Sequence, residues 1–248
     1  MASTYETGCV QNVANFETLI SYITAFGADY NPSKTSLKIP ELQKILSDAK
    51  VSLNAVNVAF SAHSNAIAAR ESAFEPLSKL VTRVNNALKA TDTTTQVDDS
   101  AKTIVRKIQG TRASVKLTEE QKQALEAEGK EVNQVSASQM GFNDRIENFD
   151  KLITLLSSIP NYAPNEEELK IESLTAYLND LKSKNAAVLP LEVQLSNARI
   201  LRNDIQDRPL TGLIDAALDS KVYIKSVFGA SSPQYKQISK LAFVKRKK

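Results

Sequence analysis

The sequence predicts an all-α protein made of two tandem antiparallel helical bundles that arose by internal duplication and are joined by a helical connector. Three observations carry this prediction. Helix-forming residues dominate, with only seven Gly and eight Pro in 248 residues, and such a composition favours helices over strands. Apolar residues recur at steps of three and four, which places them on one face of a helix. The two halves of the chain also align with each other, which indicates a repeat.

Composition narrows the class of protein further. An apolar fraction of 42% with a net charge of +3 indicates a folded chain, because enough apolar surface is present to offset chain entropy. The single cysteine, Cys9, cannot form an internal disulfide, and the single histidine, His63, excludes a multi-histidine metal site. We find neither a secretory signal nor an apolar run of about 18 residues, so we expect a cytoplasmic protein without a membrane span.

The internal repeat has an offset of about 132 or 133 positions. Its identical pairs include Gly8 with Gly141, Leu19 with Leu152, Tyr30 with Tyr162, Leu42 with Leu174, and Pro76 with Pro209. Two single-residue gaps suffice to align the copies, and most substitutions between them keep an apolar residue apolar. The repeat predicts one bundle at residues 1–115 and a second at 116–248.

The first helix of each copy is predicted by apolar residues at steps of three and four, from Cys9 to Ile23 and from Phe142 to Leu156. Gly27 predicts the end of the first instance, because glycine readily adopts the left-handed conformation that closes many helices. Pro160 predicts the end of the second, because proline cannot continue a helix.

A longer apolar stripe follows from Leu42 to Phe74, in alternating steps of four and three. This spacing is typical of helices that pack nearly parallel or antiparallel. Pro76 predicts the start of a new helix, and Pro209 is expected to do the same in the second copy. Pro190 lies inside the second long segment and predicts a kink or a full break there.

Each copy is expected to close with a short helix. Ser232 and Pro233 predict the start of the last one, as N-cap and first helical residue; residues 90–100 form a looser counterpart in the first copy. Between the copies, a capping box at Thr118 precedes apolar positions at helical spacing. We therefore predict a connecting helix over residues 118–157.

Candidate catalytic residues are few. His63 lies on an apolar stripe without a fixed acidic neighbour, and its counterpart in the second copy is Leu195. Cys9 aligns in the same way with Phe142. Both alignments favour packing over acid–base or nucleophilic chemistry. No phosphate-binding glycine loop or paired Glu-x-x-His motif is present either. We therefore predict that the protein is not an enzyme and uses no cofactor or metal.

A polar set recurs beside the long stripe of both copies. Its members are Ser64, Asn65 and Arg70 in the first copy and Ser196, Asn197 and Arg202 in the second. One interpretation is a buried hydrogen-bond network that fixes helix register. The other is a groove that contacts a ligand or a partner.

Parts of the second copy resemble a group of uncharacterised bacterial all-helical proteins with a tandem duplication. The matching segments are 196–203, 209–213, 225–229 and 232–236. The resemblance implies the helical, duplicated fold and implies no activity, cofactor or site residue.

The leading functional hypothesis is a non-enzymatic structural or interaction protein whose helical-bundle surfaces bind a protein partner or a second copy. One alternative is nucleic-acid association through the basic tail, which consists of Lys245, Arg246, Lys247 and Lys248. Clustered positive charge binds phosphate backbones, although no aromatic residues are interleaved to stack on bases. A second alternative is a membrane-acting helical component, which the absence of a long apolar segment disfavours.

Overall fold

The computed structural model of the chain describes residues 4–111, 127 and 140–245. Its α-helices are α1 (Thr4–Ala25), α2 (Ile39–Phe74), α3 (Leu77–Lys89), α4 (Thr95–Gln109), α5 (Phe142–Ser157), α6 (Ile171–Asp207), α7 (Leu213–Phe228) and α8 (Pro233–Ser239). Short 3₁₀ turns lie at Gly27–Asp29, Thr35–Leu37 and Glu167–Leu169. No strand occurs in these described ranges, so the predicted all-α class is confirmed.

Several helix boundaries follow from local signals in the sequence. The Ser232 hydroxyl accepts a hydrogen bond from the Tyr235 N–H at 3.1 Å, and Pro233 is the first residue of α8, as predicted. Pro76 immediately precedes α3. At the other end of that hairpin, α4 stops at Gly110, which has a φ of 67°. A residue with a side chain is strained at such a φ, so glycine closes the helix at little cost in conformational energy.

Two proline predictions need correction. Helix α6 is continuous through Pro190, so a full break there is wrong. Proline costs a helix interior about 3 kcal/mol, and the buried side chains of Val188 and Leu195 on either side stabilise the continuous form by packing. Pro209 does not start α7, which begins at Leu213. The chain first turns through Leu210, whose φ is 68°.

The predicted connecting helix also needs correction. Helix α5 begins at Phe142, and Gly141 before it has an extended backbone, with φ −61° and ψ 147°. A helix over residues 118–157 is therefore interrupted at Gly141. Most of its N-terminal part, 118–126 and 128–139, lies outside the described residues.

The chain divides into two compact units. Residues 1–64 and 190–248 form unit 1, and residues 65–189 form unit 2. Both boundaries fall inside long helices, because α2 begins in unit 1 and ends in unit 2 whereas α6 does the reverse. The compact units therefore differ from the predicted domains 1–115 and 116–248. The physical reason is that apolar helix faces from one half of the chain pack against helices of the other half.

The core of unit 1 joins the start of the chain to its last third. Apolar residues of α1 and of the first half of α2 pack with those of α7 and α8. The buried members are Val13, Phe16, Leu19, Ile20, Ile23, Tyr30, Leu42, Ala49, Leu213, Ile214, Ala216, Ala217, Ile224 and Ile238. The stripe that predicted α1 is thus buried against residues roughly two hundred positions away.

The core of unit 2 is built from the middle of the chain. Helices α3 and α4, with the end of α2, pack against α5 and the first half of α6. Its buried members are Phe74, Leu77, Val81, Val84, Leu88, Ala101, Val105, Ile108, Phe149, Leu152, Ile153, Leu156, Tyr162, Leu169, Leu174, Leu178 and Leu181. Each core therefore combines residues from both predicted bundles.

A buried tyrosine fixes the loop before each long helix. In unit 1 the Tyr30 hydroxyl donates to the Leu37 carbonyl at 2.8 Å, and in unit 2 the Tyr162 hydroxyl donates to the Leu169 carbonyl at 2.9 Å. Burial raises the pKa of Tyr162 to about 12, and the nearby Glu166 carboxylate adds to the rise. The neutral, donating form of this hydroxyl is therefore the form that the fold stabilises.

We expect Tyr162→Phe to lower the free energy of unfolding by about 1 kcal/mol at pH 7, because a buried hydrogen bond is lost. The pKa of Tyr162 in the fold, about 12, lies above the ordinary value of 10.0. Its contribution is thus complete below pH 10 and is lost as the pH rises from 10 towards 12. Urea unfolding between pH 7 and 12 measures both effects.

Tyr30→Phe is the matched variant in unit 1, because its hydroxyl makes the same bond to a loop carbonyl. Above pH 10, Tyr162→Phe should lose stability less steeply than the wild type. An equally steep loss in the two proteins would show that Tyr162 does not carry the effect.

Candidate interaction sites

Arg70 lies in unit 2 against an aromatic ring. Its guanidinium carbon is 4.0 Å from the centre of the Phe142 ring, and Nη1 donates to Asn185 Oδ1 at 3.4 Å. A cation–π contact at a partly exposed site contributes about 0.5–1 kcal/mol. These contacts hold Arg70, which is half-buried, to side chains of α5 and α6.

Arg202 lies in unit 1 and is only 3% exposed. Its Nε and Nη2 both donate to Asn203 Oδ1, at 3.1 and 2.9 Å. The other predicted polar residues differ, because Asn65, Ser196 and Asn197 are exposed and Ser64 is half-buried. The structure therefore buries Arg202, half-buries Arg70, and leaves most of their predicted polar companions at the surface.

A second arginine of unit 2 was not singled out by the sequence. Arg145 Nη2 donates to the Phe74 carbonyl at 3.3 Å, and the Tyr177 hydroxyl donates to the Ala73 carbonyl at 2.5 Å. Both acceptors belong to the last turn of α2, whose carbonyls have no partner within the helix. Burial lowers the pKa of Arg145 and raises that of Tyr177 to about 12. These side chains cap α2.

A buried amide pair organises one surface of unit 1. Asn12 and Gln206 are both fully buried, and Asn12 Nδ2 donates to Gln206 Oε1 at 3.0 Å. Gln206 Nε2 in turn donates to the Cys9 carbonyl at 3.1 Å. Buried amides of this kind are costly unless they are bonded, so these contacts fix the orientation of the Asn12 side chain.

In this fixed orientation the Asn12 side chain binds the backbone of a distant residue, Val244. Its Nδ2 also donates to the Val244 carbonyl at 2.9 Å, and its Oδ1 accepts from the Val244 N–H at 2.8 Å. Asn15 Nδ2 donates to the Ala242 carbonyl at 2.7 Å. We call residues 241–245 the terminal segment, and the surface of α1 and α7 that binds them the segment groove.

Helix α7 supplies the other side of the segment groove. Lys221 Nζ donates to the carbonyls of Ser239 and Leu241 at 2.9 and 3.0 Å, and burial lowers its pKa. Asp215 Oδ1 pairs with Lys245 Nζ at 3.0 Å. The Leu210 N–H, and after it Lys245, lower the pKa of Asp215, so this carboxylate carries its charge at neutral pH.

The sequence held one signal for this groove. Asn12 stands three residues after Cys9 and four before Phe16, which is the spacing of the apolar face of α1. A polar residue at that spacing has to find a buried partner. Neither Asn12 nor Asn15 was singled out, because the partners, Gln206 and the backbone of 242–244, are distant in the sequence.

The basic tail is described only at its first residue. Lys245 is paired with Asp215, whereas Arg246, Lys247 and Lys248 lie outside the described residues. The interaction of Lys245 with a carboxylate of the same unit competes with phosphate binding at that position. The nucleic-acid alternative accordingly gains no support from this contact.

The two residues considered for catalysis differ in burial. Cys9 is fully buried and His63 is half-buried. Within the described ranges, no group of three His, Cys, Asp or Glu side chains is placed to hold a metal ion.

Unit 2 carries an open cleft of about 540 Å³ beside Tyr162. The hydroxyls that line it are already engaged, because Thr91 donates to the Leu88 carbonyl and Tyr162 to the Leu169 carbonyl. Neither is paired with a general base, which a nucleophilic hydroxyl requires.

Among the described residues, most of the exposed large apolar side chains lie in unit 1. On α6, Val193 and Ile200 are seven residues apart and therefore share a face, and they are 49% and 63% exposed. On α2, Val51 and Val58 have the same spacing and are 66% and 62% exposed. We call these four side chains the exposed apolar residues of α2 and α6.

Comparisons of the chain with protein-family models, with curated proteins and with solved structures give no match. The resemblance to bacterial duplicated helical proteins stays a prediction. No helix in the described part of the chain is both long and apolar enough to cross a membrane.

Proposed function

We propose that the protein is a non-enzymatic interaction protein that binds a protein partner or a second copy through the exposed apolar residues of α2 and α6. The observation that carries the proposal is the pair Val193 and Ile200, which share a face of α6 and are about half to two-thirds exposed. Burying a large aliphatic side chain contributes about 1.5–3 kcal/mol when it is fully exposed beforehand. Exposed apolar side chains on one helix face can be buried together when a partner covers that face.

We also propose that the chain arose by internal duplication, because specific contacts recur at the offset that the sequence suggests. Lys50 pairs with Glu17 at 2.6 Å in unit 1, and Lys182 pairs with Asp150 at 2.7 Å in unit 2. The tyrosine-to-carbonyl bonds described above follow the same offset. Surface ion pairs contribute little to stability, so their recurrence supports common ancestry rather than a shared energetic need.

The interaction proposal is tested with the double variant Val193→Lys, Ile200→Lys. Two ammonium groups buried in an apolar interface would each cost several kcal/mol, so we expect association to weaken at least about a hundredfold. Sedimentation over a concentration series measures self-association, and a pull-down from the native cell detects a heterologous partner.

Val222→Lys on α7 is the matched control, because Val222 is 67% exposed and lies on another helix. It should leave binding unchanged. A wild-type protein that stays monomeric at high concentration and captures nothing would contradict the proposal, as would a double variant that binds as well as the wild type.

A further inference from the structure

The terminal segment is bound as a ligand would be. Along residues 241–245 the side chains alternate, with Leu241 and Phe243 half-buried against the core of unit 1 and Ala242 and Val244 exposed. This is the pattern of an extended strand with one face on an apolar surface. In the described part of the chain, the backbone of 242–245 makes no hydrogen bond to another backbone group.

Side chains of unit 1 supply the hydrogen bonds instead. Asn12 pairs with both the N–H and the carbonyl of Val244, as a neighbouring strand would, and Asn15 binds the Ala242 carbonyl. These bonds are made to backbone atoms of the segment. The same bonds can therefore form whether the segment belongs to the same chain or to another one. Specificity comes from the two apolar side chains and from the pairing of Lys245 with Asp215, as in other grooves that bind extended peptides.

The attachment of the segment is short and exposed. Helix α8 ends at Ser239, and Lys240 alone separates it from Leu241. The helix has its own anchors, because Ile238 is fully buried and Ser232 caps the first turn. The Leu241 N–H donates to the Ile238 carbonyl at 3.1 Å, so release of the segment would break this bond and rotate the chain about Lys240 while α8 stays folded.

We propose that the segment groove binds the terminal segment of a second copy in trans. Every copy carries a segment with the matching chemistry, two apolar residues separated by one residue and followed by a lysine two positions later, and the same bonds form whichever chain supplies it. The cis segment competes for the groove through its high effective concentration. This inference goes beyond the proposed function, because it concerns α1 and α7 rather than the exposed apolar residues of α2 and α6.

The test mixes two full-length variants. The first, Leu241→Ser with Phe243→Ser, keeps the groove and loses the anchors of its own segment. The second, Asn12→Leu, keeps the segment and loses the groove. We expect a 1:1 complex in sedimentation when the two are mixed, with neither self-associating alone through this site. Adding Asn12→Leu to the first variant is the control and should abolish the complex.

A labelled peptide of residues 241–248 gives a second readout that does not need the Asn12→Leu chain to fold. It should bind the Leu241→Ser, Phe243→Ser variant at least about tenfold more tightly than it binds the wild type, whose groove is filled. Folded variants that form no complex and bind no peptide overturn the proposal. A Leu241→Ser, Phe243→Ser chain that does not fold also overturns it, because the segment is then a fixed part of the core.

Failure here leaves the proposed function standing. The variant Val193→Lys, Ile200→Lys retains Asn12, Asn15 and the terminal segment, so it should still complement the Leu241→Ser, Phe243→Ser chain. If one variant loses binding through the exposed apolar residues of α2 and α6 and keeps binding through the segment groove, or the reverse, the two surfaces act independently.

Discussion

Residues 1–115 and 116–248, produced as separate chains, are each expected to lack cooperative folding and to fold when they are mixed. The core of unit 1 takes α1 and the first half of α2 from one fragment, and α7 and α8 from the other. The core of unit 2 is divided in the same way. Each fragment alone therefore exposes two half-cores, and the apolar burial that offsets chain entropy is lost. Thermal melts followed by circular dichroism measure this.

The control for this experiment is the intact chain with a protease site placed after residue 115 and cut after folding. The cut chain has the same ends as the fragments. Because it folds before it is cut, it should keep its helical signal. If either fragment alone is monomeric and melts cooperatively, the division into units 1 and 2 does not describe the folding units.

The fold was predictable wherever a local signal decides the structure. The stripe from Leu42 to Phe74 needs only one helical period to be recognised, and α2 occupies Ile39–Phe74. The capping of α8 by Ser232 likewise involves residues three positions apart. In both cases the residues that form the sequence pattern are the same residues that form the helix or its cap.

Pairing between helices was not predictable in the same way. Periodicity shows which face of α1 is apolar, yet Phe16 and Leu19 are suited equally well to any apolar face of similar shape. The alignment of the copies suggested that each copy folds on itself, whereas α1 packs with Leu213 and Ile224. Side-chain chemistry constrains long-range partners weakly, because cores tolerate many apolar combinations of the same total volume.

The candidate sites show the same limit. The sequence singled out Arg70 and Arg202 as a matched pair, and the structure gives them different surroundings, a Phe142 ring for the first and Asn203 for the second. Asn12 escaped notice because its partners, Gln206 and Val244, lie more than 190 positions away. A polar residue at an apolar helix position indicates that a buried partner exists and does not identify it.

Removing one buried ring from each core should produce the largest effect of any single substitution. Phe16 in unit 1 and Phe149 in unit 2 are both fully buried, so Phe16→Ala and Phe149→Ala should each lower the free energy of unfolding by about 3–5 kcal/mol. Urea unfolding gives the size of the loss. Hydrogen exchange gives its location, with protection lost first in α1 and α7 for Phe16→Ala, and in α4 and α5 for Phe149→Ala.

Phe60→Ala is the matched control, because it removes the same ring from a side chain of α2 that is 53% exposed. Its cost should stay within about 0.5 kcal/mol, as for other surface substitutions. A loss for Phe60→Ala comparable to that for Phe16→Ala would mean that the Phe60 ring is buried in solution, most simply by a second copy. Dilution then separates the explanations, because a loss that comes from association depends on protein concentration, whereas the loss from Phe16→Ala does not.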